Sequence, residues 1–278
     1  MREAAARIRE GVPEGGIART LLNHPRVSIL GVPVSVLSFD QFMNCIDDWI
    51  QQRERHYVCT LDVHALMESS SATDIQKIYH SASIVAPDGM PLVWLLRRAG
   101  FAQADRICGP DLMPALFDRS QRTGHRHFLY GSTPRTLALL ESNLKRRYPD
   151  TSVVGSCSPP FRELLPGEQQ GVVDSINAAR PDIVWVGLGA PKQDRWMWSF
   201  REKLNAPVLI GVGAAFDMLA GTVRRAPRFV QRSGCEWAFR LFQEPRRLGR
   251  RYLESNARFL LMLLYERLQP LRGPQSRA

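Results

Sequence analysis

No stretch of this 278-residue chain approaches the length of a membrane span, which takes about 18 to 20 consecutive apolar residues. The run Phe259-Leu-Leu-Met-Leu-Leu-Tyr265 is only seven residues long, between Arg258 and Arg267. It is expected to lie on a membrane or pack on the body, not to cross a bilayer. Met1-Arg-Glu-Ala-Ala-Ala-Arg-Ile-Arg-Glu has no apolar core of the kind a secretory signal needs. The five cysteines are odd in number and show no CxxC spacing. That pattern argues against a disulfide framework or zinc site and fits a reducing compartment. GxGxxG and GxxxxGK[ST] are missing, so standard dinucleotide and P-loop readings lose support. There is no HExxH, no nucleophile elbow, and no DxD-like pair to chelate a metal-nucleotide. Any transferase chemistry in such a chain is therefore expected to need no metal.

Lysine is missing from one region in particular. Between Arg224 and Arg258 there are ten arginines and three glutamates, so this segment carries +7 of the net +10. Arginine without lysine suits forked binding of phosphates. Interleaved aromatics (Trp237, Phe239, Phe242, Tyr252) leave nucleic acid as an alternative partner. A solvated basic face, or one resting on anionic lipid, is the plainer reading.

What remains is ordinary for a folded protein, with 44% hydrophobic and 23% charged residues. Residues 1–26 lack a sustained period and are expected to be a mobile lead-in. From Val27 strand-like runs occur at Val27–Leu37, Tyr57–Val63, Ser83–Ala86, His127–Tyr130, Ser152–Val154, Ile183–Leu188 and Val208–Val212. Helical patterns occupy Phe39–Gln52, Ala65–Tyr79, Pro91–Arg98, Asp111–Arg122, Thr136–Tyr148, Glu168–Ala179 and Lys192–Leu204. This alternation predicts an α/β fold, Rossmann-like, with a largely parallel sheet sandwiched by helices. Beyond about Gly221 only Arg-rich helices follow, over Phe229–Phe242 and Leu248–Leu268. The expected division is an α/β domain over 27–222 and an Arg-rich helical appendage over 223–278.

Several strand ends carry glycine before a helix: Gly131-Ser132, Gly187-Leu-Gly189 and Gly211-Val-Gly213. Glycine lets backbone approach a ligand closely, and a helix N-terminus offers N–H groups to an anion. Thr60, Asp62, Asp88, Gln193 and Asp217 lie at or just past apolar runs. Lys192 and Gln193 follow Pro191 in the first turn of a helix. Asp88, in Pro87-Asp-Gly89, has two readings: a cap for the next helix, or a carboxylate at the carboxyl edge of a sheet, where such folds place ligands. Asp62 and Asp217 also fit as caps or turn residues. His64 and His80 read as packing or surface residues.

Pro87-Asp-Gly89, Gly187-Leu-Gly-Ala-Pro-Lys-Gln-Asp194, Gly211-Val-Gly-Ala-Ala-Phe-Asp217, Arg225-Ala-Pro-Arg228 and Glu236-Trp-Ala-Phe-Arg-Leu-Phe-Gln-Glu-Pro-Arg-Arg247 together resemble the WecG/TagA/CpsF family, glycosyltransferase family 26. The resemblance implies an inverting, metal-independent transferase without cofactor. It would move a sugar from a UDP-sugar to a polyprenyl-diphosphate-linked sugar, peripherally on the cytoplasmic face of the membrane, in surface polysaccharide synthesis. It implies Asp88 as general base and Thr60 near the sugar and phosphates. Gln193 and Asp217 would hold the nucleoside. Arg240, Arg247 and Arg250 would close over the diphosphates, so that phosphate, not nucleic acid, is their partner. Many relatives carry Asn where this chain has Asp62, which adds a second carboxylate. The donor is expected to be a hexose, with glucose passed to lipid-linked glucose; N-acetylmannosaminyl or N-acetylmannosaminuronyl transfer is the alternative. Whether the chain forms a homo-oligomer stays open.

Overall fold

The computed structural model describes residues 24–70 and 72–268. Of the expected lead-in, 1–23 lie outside the described residues. The chain begins with a hairpin, β1 (Arg26–Ile29) and β2 (Val32–Ser35). One continuous strand was expected over Val27–Leu37. Leu30 and Gly31, both at positive φ, reverse the chain instead, and the apolar residues on either side conceal that turn. Helix α1 (Phe39–Gln52) starts on a reciprocal cap. Ser38 accepts from the Gln41 N–H, and the Gln41 side chain accepts from the Ser38 N–H, which occupies donors the first turn leaves open.

Then follow β3 (His56–Leu61), α2 (Val63–Ser69), α3 (Thr73–Ser81), β4 (Ile84–Pro87) and α4 (Met90–Arg98). The single helix expected over Ala65–Tyr79 is two. The Ser69 and Ser70 hydroxyls donate back to the Leu66 and Met67 carbonyls, a local competition that ends helices. Next come α5 (Gly109–Thr123), β5 (Arg126–Gly131), α6 (Pro134–Arg147), β6 (Ser152–Cys157), α7 (Pro166–Ala179), β7 (Ile183–Gly187) and α8 (Lys192–Phe200). A 3-10 turn, Arg201–Lys203, replaces the expected last turn of α8. After β8 (Val208–Gly211) comes a short α9 (Ala215–Ala220) that the sequence pattern did not reveal. The Arg-rich end holds α10 (Arg228–Arg232), α11 (Glu236–Gln243) and α12 (Pro245–Leu268). A single helix was expected over Phe229–Phe242; Gly234, at φ +73°, divides it. The next helix starts at Pro245, ahead of the expected Leu248, because the missing N–H of proline costs nothing in a first turn.

Six strands form one parallel sheet in the order β4-β3-β8-β7-β5-β6. Helices cover both faces, which is why β3, β7 and β8 read as continuous apolar runs instead of alternating. One face packs on α2, α3, α7 and α8 and the other on α1, α5, α6 and α9. Helix α12 lies along α2 and α11, and its Phe259 is buried in the first of these layers.

A carboxyl group is buried in that layer. Asp194 on α8 accepts from the Tyr79 hydroxyl through Oδ2 at 3.1 Å, and its Oδ1 has no hydrogen-bond partner among the described residues. Burial pushes its pKa up to about 7, and Asp62 adds to this, against hydrogen bonding that favours the charged form. In the unfolded chain it ionises near 3.8, its ordinary value. The folded pKa is thus the higher one, so folding is penalised increasingly as pH rises from about 4 to about 7. Asp194→Asn should therefore gain Tm relative to wild type as pH rises through that window. A difference in Tm that stays constant from pH 4 to 8 would contradict the assignment.

Candidate active site

The carboxyl ends of β3, β4 and β8 open into a pocket of about 380 Å³, walled also by α2, α4, α11 and α12. Asp88 stands at its floor. Its N–H donates to the Leu61 carbonyl at 3.0 Å, so the backbone is tied to the neighbouring strand one residue past β4. Gly89, not Asp88, is the N-cap of α4. The capping reading is thereby removed, and the Asp88 carboxyl is left to the pocket, where Oδ1 accepts a long hydrogen bond from Arg106 Nη2. The side chain keeps 29% of its surface open there, yet the walls exclude enough water that burial is the main influence on its charge. Burial raises its pKa to about 6; Arg106 and Arg240 pull the other way, while Asp62 and Glu236 push it further up. A carboxylate tuned toward neutrality suits proton abstraction at physiological pH.

Asp62 also lines the pocket, but it does cap a helix: Oδ1 accepts from the Ala65 N–H at 2.7 Å. Arg240 on α11 is part of the wall, and its Nε is buried without a hydrogen-bond partner among the described residues. Arg247 and Arg250 lie on α12, and their side chains fall outside the described residues. His64, expected to be a packing or surface residue, lines the pocket while its Nδ1 lies 2.7 Å from the Ser255 hydroxyl of α12.

A second group of candidates collects at the ends of β5, β7 and β8. Gly131 has φ +129°, and a Cβ there would sit 2.6 Å from the Gly187 carbonyl oxygen, so only glycine allows β5 and β7 to end this close. Asp217 on α9 faces the Ser132 and Thr136 hydroxyls, each at 3.4 Å, contacts too long to hold its oxygens firmly. Gln193 is buried, and its Oε1 accepts from the Gly213 N–H at 2.9 Å. It braces the loop after β8 beside Gly189. Lys192 is exposed on the outside of the α8 start. Thr60 does not reach the pocket: it is buried in β3, and its hydroxyl donates to the Gly211 carbonyl at 2.9 Å. The structure thus gathers Asp62, Asp88 and Arg240 in one place, Gly131, Gly189 and Asp217 along an adjoining edge, and uses Thr60 and Gln193 as internal braces.

Two charged residues that sequence reasoning did not select complete the pocket. Arg106, in the loop before α5, donates from Nε to the Asp88 carbonyl at 2.5 Å. Its Nη2 lies 3.4 Å from Asp88 Oδ1 and 2.6 Å from Glu236 Oε2. The contact with Glu236 is close but poorly aligned for a hydrogen bond. Arg225 grips Asp111 with both Nη atoms, at 2.6 and 2.7 Å. Glu236 lay within a motif already noted, at the start of an amphipathic helix, where a carboxylate reads as an ordinary first-turn acid. Arg106 had only its place before the apolar Ile107-Cys108 to mark it.

A family model described as "Glycosyl transferase WecG/TagA/CpsF family" matches residues 27–273. The chain belongs to the WecG/TagA/CpsF glycosyltransferase family. Among proteins similar to this family member is one from Bacillus spizizenii named N-acetylglucosaminyldiphosphoundecaprenol N-acetyl-beta-D-mannosaminyltransferase. It is 29% identical over 219 residues, which are 79% of this chain and 83% of the relative.

The cap and the charge of Asp62 are separable. Asp62→Ala should lower stability by about 0.5–2 kcal/mol through loss of the cap, whereas Asp62→Asn should stay within a few tenths, since Asn caps equally well. Equal losses in urea melts of the two variants would contradict the capping role.

Proposed function

We propose that this chain is an inverting, metal-independent transferase that passes N-acetylmannosamine from a UDP-sugar to a polyprenyl-diphosphate-linked sugar. The observation that carries the reading is Asp88: a carboxylate fixed by its backbone, free of capping, raised toward neutrality, and set between Arg106 and Arg240. In the reaction the acceptor hydroxyl gives its proton to an Asp88 oxygen while its own oxygen forms a bond to the anomeric carbon of the donor. The bond from that carbon to the diphosphate breaks on the opposite face, and UDP leaves with the electron pair, so configuration inverts. Guanidinium groups aimed at the departing diphosphate stabilise its growing charge in place of a metal ion. The Nε of Arg240, without a partner among the described residues, is a donor of this kind.

The glucose expected from the sequence gives way to N-acetylmannosamine because the B. spizizenii relative is named for that transfer; its acceptor name also favours a lipid diphosphate. The glycine-rich edge with Asp217 suits the nucleotide, since backbone there is open to close approach. The pocket mouth is apolar, with Trp94, Leu95, Phe259 and Leu260 in its walls. Phe229 on α10, Phe242 on α11 and Leu261 on α12 are exposed as well, and exposed apolar side chains on an Arg-rich segment favour contact with a lipid surface. No described helix is long and apolar enough to cross a membrane. Arg225 and Arg240 face inward, to Asp111 and the pocket, which weighs against a nucleic-acid groove along this segment.

The test is turnover in EDTA with a panel of UDP-sugars and polyprenyl-diphosphate-linked N-acetylglucosamine. Transfer from UDP-N-acetylmannosamine, unaffected by the chelator, is the expected result. Transfer from UDP-glucose alone, or none until a divalent cation is restored, would overturn the corresponding part of the reading.

A further inference from the structure

Arg106 stands between two carboxylates: its Nη2 makes a long hydrogen bond to Asp88 and a closer, less well aligned ion pair with Glu236. Its Nε is anchored on the Asp88 backbone carbonyl at 2.5 Å, which fixes one end of the guanidinium. The free end, Nη2, is 2.6 Å from Glu236 Oε2 and 3.4 Å from Asp88 Oδ1. A small rotation about the anchored end would give Asp88 a charge-assisted bond of ordinary length, about 2.8 Å. Such a bond holds the aspartate ionised and makes it a poor proton acceptor. Glu236 prevents this from a different part of the chain. It is the first residue of α11, only 12% of its side chain is exposed, and Arg225 Nε lies 3.9 Å from its other oxygen.

We infer that Glu236 is a positioning residue that draws the Arg106 guanidinium away from the Asp88 carboxylate, leaving Asp88 able to accept a proton while Arg106 stays in the pocket wall as a cation. The inference rests on Asp88 as the base. Among the described residues, the groups facing Asp88 are Arg106 and Cys108 ahead of α5, Asp62 and His64 at the start of α2, and Glu236 and Arg240 on α11, with the uncharged Asn256 from α12. Of these, only Glu236 is an anion in contact with the cation nearest to Asp88. Removing its charge releases Arg106 toward Asp88 and also removes a repulsion, and both changes act downward on the Asp88 pKa.

The test is the titration of Asp88 followed by carboxyl carbon-13 NMR, with its resonance assigned through Asp88→Asn. In Glu236→Gln the midpoint should fall by roughly one unit, the lower end of the effect of an adjacent arginine on an aspartate. The acidic limb of kcat/KM should move with it. In an Arg106→Gln background the same substitution should shift Asp88 by less than half as much, since the two effects are coupled through one guanidinium. An unchanged or raised midpoint in Glu236→Gln would overturn the inference, and so would a full shift without Arg106. If Glu236→Gln does not fold, Glu236→Asp carries the same readout: its shorter side chain should give a smaller fall, and an unmoved midpoint would again overturn it. Failure of the base assignment would look different, with turnover surviving in Asp88→Asn while the NMR shift remains.

Discussion

The hydrogen bond from the Asp88 N–H to the Leu61 carbonyl extends the β3–β4 ladder one residue beyond the last strand pair. It holds the aspartate backbone as firmly as the sheet itself, and Gly89 then takes over as the helix cap. A side chain on so rigid a support has little freedom to lose when a substrate arrives, which is the condition for effective orientation. The rest of the pocket is arranged around that fixed point. Thr60 and Gln193 pin the ends of β3 and β8 beside it, and α11 brings Glu236 and Arg240 in from the far end of the chain.

The charges in the pocket form a connected set. Asp88 and Glu236 share Arg106, and Arg225 links Glu236 to Asp111. Half-buried pairs of this kind seldom add much to stability, because desolvation offsets the attraction. Their use here is positional, since they join the loop before α5 to the Arg-rich helices and set the charge around one carboxylate. This is also why the pocket needs the segment beyond Gly221: without α11, neither Glu236 nor Arg240 would face Asp88.

Much of the architecture is legible in the residues. Buried parallel strands such as Tyr57–Leu61 and Ile183–Gly187 are largely apolar on both faces, and Asp62 closes the first and Gly187 the second. Breaks inside apolar or helical runs are less visible: Leu30-Gly31 turns between residues as hydrophobic as those of the strands, and Ser69-Ser70 stops a helix through side chains that are tolerated elsewhere. Asp62 and Asp88 look alike in sequence, each following a strand, yet one caps a helix and the other does not. The difference lies in whether the next residue can take the cap, and Gly89 does. Arg106 and Glu236 were hidden for a simpler reason. Their significance lies in each other and in Asp88, and nothing local in the chain announces contacts between segments so distant.

The central claim is that Asp88 removes the acceptor proton without holding the donor. Asp88→Asn, which preserves the backbone bond and the volume, tests it when calorimetric UDP affinity is measured beside single-turnover transfer. The account predicts a fall in transfer of about 10²–10⁴-fold, the usual contribution of a general base, with UDP affinity within a few-fold of wild type. Transfer within threefold of wild type would contradict it, and so would a loss of transfer explained wholly by lost UDP binding.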